Sequence, residues 1–120
     1  MAEMHAACRA LPEGRLCDRC ADLAARGEIV QRPEQGWVSI DLTEPQQAVL
    51  RRAVSSRPFP GLIDFADAGV GIGLRRAAWT KMMARLHEQG IVETYVHGGY
   101  EVTAAGRDVM RRRGLGEIPR

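Results

Sequence analysis

The sequence predicts a mostly α-helical fold with one small β-hairpin, and three patterns carry that expectation. Residues 74–106, LRRAAWTKMMARLHEQGIVETYVHGGYEVTAAGR, read in order as a basic amphipathic helix, a glycine stop, two short strands about a His-Gly-Gly turn, and the cap of another helix. Thr43 and Gln46 form a capping box ahead of Val49, Leu50, Ala53 and Val54, which fall on one helical face. His5, Cys8, Cys17 and Cys20 make two pairs, each separated by two residues, in HAACRALPEGRLCDRC.

The 120 residues suit one ordinary domain with a small appendage, and 45% apolar residues supply a modest core. Seventeen basic against 15 acidic side chains leave +2, far short of a protein that binds polyanions by bulk charge, so any electrostatic footprint is local. Lys81 is the only lysine. Arginine and alanine abound in every segment, which fits a GC-rich bacterial or phage genome and says little about function. No stretch approaches the roughly 18 consecutive apolar residues that span a bilayer. Glu3 and Glu13 stand where a secretory signal would have a basic start and an apolar run, so the expected address is cytoplasmic, with no membrane partner. In that reducing compartment the three cysteines are not expected to be disulfides.

Their spacing suits a metal instead. A gap of two residues lets one tight turn aim both side chains of a pair at one ion, and tetrahedral zinc accepts three thiolates and one imidazole. Pro12 and Gly14 suit the reversal between the pairs. The segment resembles zinc ribbons and treble-clef zinc knuckles in which the first cysteine is replaced by histidine. Four ligands, His5, Cys8, Cys17 and Cys20, fill the coordination sphere, which implies structural Zn2+ rather than a catalytic ion with an open position. The plainer alternative makes Cys8 and Cys20 small buried hydrophobes. A redox CxxC would leave His5 and Cys8 unexplained.

Residues 18–26 should form a short helix, apolar at Ala21, Leu23 and Ala24, stopped by Gly27. The runs 28–31 and 37–40, either side of Arg32, Pro33, Glu34, Gln35 and Gly36, could pair as a hairpin; alternatively Trp37 packs the knuckle onto the next segment of the chain. The expected organisation is a zinc knuckle with its helix (1–27), a connecting segment (28–41), a helical domain (42–113) and a tail (114–120). In the helical domain, the first helix should span 43–56 and end at the break 57–61, and 62–68 should form a short second helix with Leu62, Ile63 and Phe65 or Ala66 turned inward. Gly69, Gly71 and Gly73 are expected to be a turn between helices, since no strand precedes them and no GKS or GKT ends the run. From 74 to 89, Leu74, Ala78 or Trp79, Met82 or Met83, and Leu86 give a buried stripe. Arg76, Thr80, Lys81, Ala84 and Arg85 lie opposite, Arg75 at the edge, and Gly90 ends the helix. Strands at 91–96 and 100–102 flank His97, Gly98 and Gly99, and Thr103 should cap a helix over 104–113.

KMMARLHEQGIVE followed by GGYEVTAAGRDVM resembles the MarR-type winged helix-turn-helix superfamily, in which an RLEERGLV-like helix end precedes the wing and an LTxxG-like phrase comes after it. The resemblance covers residues 42–113. It implies a winged helix-turn-helix fold and a small DNA-binding transcriptional regulator that grips double-stranded DNA, with the recognition helix 74–89 in the major groove and the wing 91–102 near the backbone. It implies groove-facing roles for Arg76, Ala77, Thr80 and Lys81, phosphate contact by Arg85 with Arg75 beside it, and wing contact near His97. Trp79 stands where the superfamily carries a smaller apolar residue, and the third helix lacks a Ser or Thr cap. Low net charge, with Asp64 and Asp67 in the second helix, favours the alternative of an adaptor that docks a protein partner through the wing or knuckle. No Ser/His/Asp set or open metal site suggests an enzyme. A homodimer would have to draw on Val109, Met110 and Leu115, the apolar anchors at the C-terminal end.

Overall fold

The computed structural model describes residues 4–32 and 36–119. Glu3, the connecting residues Pro33, Glu34 and Gln35, and Arg120 lie outside the described residues. The chain combines helices with small antiparallel sheets and divides into two compact units, Met1–Asp41 and Leu42–Arg120.

The first unit opens with two single turns of 3-10 helix, Ala6–Cys8 and Glu13–Arg15, and continues into α1 (Asp18–Ala25). Gly27, at φ 72°, closes α1 by letting its own amide reach Ala24 O (3.1 Å) and that of Glu28 reach Leu23 O (3.0 Å). The two predicted runs do pair: β1 (Ile29–Arg32) is antiparallel to β2 (Gly36–Ser39), with Val30 opposite Val38, and Ile40 N donates to Glu28 O at 2.9 Å beyond the ladder. Trp37 is thus a strand residue, and its ring is buried with Met4, Cys8, Cys20, Leu23, Ala24 and Ile29 in one cluster.

In the second unit α2 (Glu44–Ala53) starts at the predicted capping box, in which Gln46 N donates to Thr43 Oγ1 (3.4 Å) and Thr43 N to Gln46 Oε1 (2.7 Å). Val49, Leu50 and Ala53 are buried. α2 stops earlier than expected because Gly61 N and the Ser56 hydroxyl take the Ala53 carbonyl, at 2.7 and 3.0 Å.

The predicted second helix over 62–68 is corrected. Leu62–Ile63 is a strand, β3, with both side chains buried, and only from Phe65 to Gly69 does the chain coil, as a turn of π-helix capped by Asp64, whose Oδ1 accepts from Asp67 N at 2.7 Å. A buried Leu-Ile pair satisfies either period locally. A distant strand decides, since Leu62 pairs with Glu101 and Ile63 with Tyr100. Gly69 likewise belongs to the π turn rather than to a loose connection: a Cβ there would collide with the Phe65 ring and lie 3.0–3.1 Å from Phe65 Cε1 and Trp79 Cε3.

α3 (Arg76–Glu88) buries Trp79, Met83 and Leu86, while Ala78 is exposed and Met82 half-buried. After a Gly90 stop come β4 (Val92–Thr94) and β5 (Tyr100–Val102), which give a sheet in the order β3-β5-β4. The first strand of the hairpin is shorter than predicted because Tyr95 and Val96 join the turn, where Gly98 N donates to Tyr95 O at 3.0 Å.

Thr103 caps α4 (Ala104–Arg112) by accepting from Gly106 N at 2.9 Å, and its hydroxyl donates to Gly90 O at 2.6 Å. A Cβ on Gly106 would collide with the Ile91 carbonyl oxygen and lie 2.9 Å from Val102 Cγ1. TAAG therefore works as one unit in which threonine fastens the helix start to the α3–β4 turn and glycine lets the two backbones touch. Gly106→Ala is expected to cost about 1–3 kcal/mol by forced overpacking, read as a lower denaturant midpoint at unchanged m-value; an unaltered midpoint would contradict that contact. Val109, Met110, Leu115 and Ile118 are all buried, so the anchors considered for a homodimer are already in the interior and residues 115 and 118 of the tail are packed.

Candidate functional site

The first pair of candidate ligands straddles a 3-10 turn: His5 precedes Ala6–Cys8 and Cys8 ends it. The second pair sits on the first turn of α1, with Cys17 as its N-cap and Cys20 three residues on. Local geometry thus supplies two residues per turn by two different means, and the reversal through Glu13–Arg15 brings the turns together. One ligand atom from each of His5, Cys8, Cys17 and Cys20 lies within 4.8 Å of the others. Four donors held about 2.0–2.3 Å from one tetrahedral ion would be roughly 3.3–3.8 Å apart, and Cys17 Sγ and His5 Nδ1 stand at 3.3 Å. All three cysteines are free thiols.

Hydrogen bonding and burial act on these sulfurs in opposite directions. Cys20 N donates to Cys17 Sγ at 3.5 Å, and with the Cys20 thiol beside it this pulls the Cys17 thiol down to about 6. Burial pushes the fully enclosed Cys20 thiol up, against the His5 amide, which donates to its Sγ at 3.3 Å. An uncompensated buried thiolate is costly and a cation among the four donors removes that cost, so the donor chemistry fits a metal ion.

Trp37 and Gly36 brace the loop between the two candidate ligand pairs; the sequence offers Trp37 as a strand residue or as packing for the knuckle, and gives Gly36 no such role. Trp37 Nε1 donates to Leu11 O at 2.7 Å and Trp37 N to Arg9 O at 3.1 Å. Gly36 (φ 66°) lies so close that a Cβ would stand 2.7 Å from Arg9 O.

The second candidate surface is α3. Arg75, Arg76, Thr80, Lys81 and Arg85 are all exposed, and so are Ala77, Ala84 and the turn residue His97. Arg85 shares its charge with Glu88 at 3.5 Å. The Arg76 guanidinium lies over the Phe65 ring, 4.8 Å from its centroid, and Phe65 meets Trp79 edge-to-face at 5.8 Å. No sequence period links Phe65 to Arg76; the π turn brings them together. The two aspartates have local work, Asp64 as a cap and Asp67 paired with Arg52 at 3.0 Å.

Across from the start of α3 lies the hairpin turn. Its His97 ring is 5.4 Å from that of Tyr95, and Val96 is 86% exposed. The strands themselves place Glu93 directly opposite Glu101.

No protein-family model, curated protein or solved structure matches this chain. Among the described residues no helix is long and apolar enough to cross a membrane. The chemistry of the two surfaces defines their capacity: one can hold a metal ion, and the other offers cations and hydroxyls beside an open groove.

Proposed function

We propose that residues 42–113 form a MarR-like winged helix that binds double-stranded DNA as a small transcriptional regulator, and that His5, Cys8, Cys17 and Cys20 hold one structural Zn2+. The observation that carries the DNA reading is the exposed cationic run Arg75, Arg76, Lys81 and Arg85 on α3, ahead of the helix's first acid and next to a hairpin turn. The order of helix, short strand, helical turn, helix and hairpin, with β5 between β3 and β4, supports a winged helix.

In this reading α3 enters the major groove. Arg76, steadied on Phe65, and Lys81 offer donors to guanine, while Thr80, whose hydroxyl donates to Arg76 O at 3.0 Å, keeps lone pairs for an amino group on a base edge. Arg75 caps α3 without a side-chain bond, which leaves the first amides of the helix for a phosphate. Arg85 takes a neighbouring phosphate. The Glu93–Glu101 pair keeps the strands off the backbone, so the wing contacts DNA through its turn around His97. Zinc, when bound, supplies cross-linking: with four protein ligands it ties the 3-10 turn to α1 and keeps no place for water.

Arg76→Ala and Lys81→Ala should each weaken duplex binding by about 1–3 kcal/mol for a base contact, or by less and without sequence preference for a phosphate contact, with the salt slope flattening by about one unit per phosphate lost. Anisotropy titrations over a range of salt, with melting temperatures alongside, measure both. The acidic hairpin face favours a second reading, an adaptor for a protein partner, and no duplex binding at low salt by folded wild-type protein would select it.

A further inference from the structure

The aromatic side chains of residues 42–119 are five, Phe59, Phe65, Trp79, Tyr95 and Tyr100, and they gather in one place. Four of them line an open groove of about 530 Å³ between the start of α3 and the hairpin turn, and Phe59 meets Tyr95 edge-to-face at 5.3 Å. Among these residues only Trp79 is buried; Phe59, Phe65, Tyr95 and Tyr100 are half-buried and keep surface toward solvent.

The rest of the lining is polar in a particular way. Arg76 brings a fixed cation, Thr80 and Thr94 bring hydroxyls, and the Asp64 carboxylate already accepts from Asp67 N through Oδ1. Rings offer surface to a planar group, the guanidinium offers charge to an anion beside it, and hydroxyls can read a polar edge. A base joined to a phosphate has those three parts. The bases of an intact duplex, stacked on both sides, cannot enter. Arg76 and the openness of the groove disfavour a proline-rich peptide, which seeks aromatic ridges without needing a cation.

We infer that this groove accepts one unstacked base of a nucleic-acid strand, with the adjoining phosphate on Arg76, so that the protein binds single strands at a site that shares Arg76 and Thr80 with the duplex-facing side of α3 but does not use Lys81 or Arg85. The inference does not need the duplex reading to hold. The test uses the whole zinc-loaded chain and a labelled oligothymidylate of about ten nucleotides, within the span such single-strand sites cover, with a duplex of the same length in parallel. Tyr100→Leu, which keeps apolar bulk, should weaken single-strand binding about 5- to 150-fold, the range of one lost base–aromatic stack, while duplex affinity changes less than about twofold; Tyr95→Leu, in the turn beside His97, should weaken single-strand binding over the same range. In case a variant fails to fold, photocrosslinking of wild-type protein to a strand containing 5-iodouracil should map to Phe65, Tyr95 or Tyr100.

Single-strand binding by wild type with no duplex binding would sink the regulator and leave the groove standing. Equal single-strand affinity in folded wild type and both variants, crosslinks confined to other residues, or displacement of the strand by a proline-rich peptide but not by free thymidine monophosphate would each overturn the groove.

Discussion

Stripping the metal with a strong chelator is expected to unfold Met1–Asp41. Cys20→Ser should do the same without chelator, because it removes a donor that is completely enclosed. The size of the unit makes the effect large. Below about 40 residues a hydrophobic core rarely sustains a fold without a metal or disulfides, and the three cysteines here are free. The apolar cluster itself includes Cys8 and Cys20, so two of the candidate ligands are also core. Apparent zinc affinities in small structural sites are worth about 10–16 kcal/mol, more than such a core supplies. Metal analysis should return one zinc per chain. Hydrogen exchange at the Trp37 amide, bonded to Arg9 O between the two ligand pairs, should jump to the unprotected rate once metal leaves. Protein prepared without chelator that holds no metal, or full protection at Trp37 after stripping, would sink the site.

The grouping of His5, Cys8, Cys17 and Cys20 was legible in the sequence because its information is local: two i, i+3 pairs and a reversal. Capping was legible for the same reason, at Thr43 with Gln46 and at Thr103, and Gly27 and Gly90 marked their helix ends by their place after an apolar rhythm. What was hidden depended on long-range pairing. Leu62 and Ile63 read as helix because nothing nearby announced that β5 would claim them. Gly106 read only as the last letter of a short phrase until its approach to the Ile91 carbonyl gave it a reason. The clasp of Trp37 on Leu11, and the seat of Arg76 on Phe65, join residues 26 and 11 apart through turns that no periodicity spans. Asp64 and Asp67, which argued against DNA as bare charges, are a cap and an ion-pair partner once placed.

Trp79→Ala should destabilise the second unit by about 3–5 kcal/mol, the cost of emptying a large buried aromatic site. Trp79 is 4% exposed, stacks edge-to-face on Phe65, and fits against Gly69 so closely that even a methyl group there would stand 3.1 Å from Trp79 Cε3. Such a tight seat has little room to collapse, which puts the expected loss toward the upper part of that range. Its neighbour supplies the control. Lys81, two positions on, is exposed, so Lys81→Ala should leave the denaturation midpoint where it is and act only on binding. The pair therefore separates the buried side of α3 from its exposed, cationic side. A Trp79→Ala protein of wild-type stability that merely lost a ligand would mean the helix presents the indole outward, and with it the assignment of Arg76, Thr80 and Lys81 to the binding face would fall.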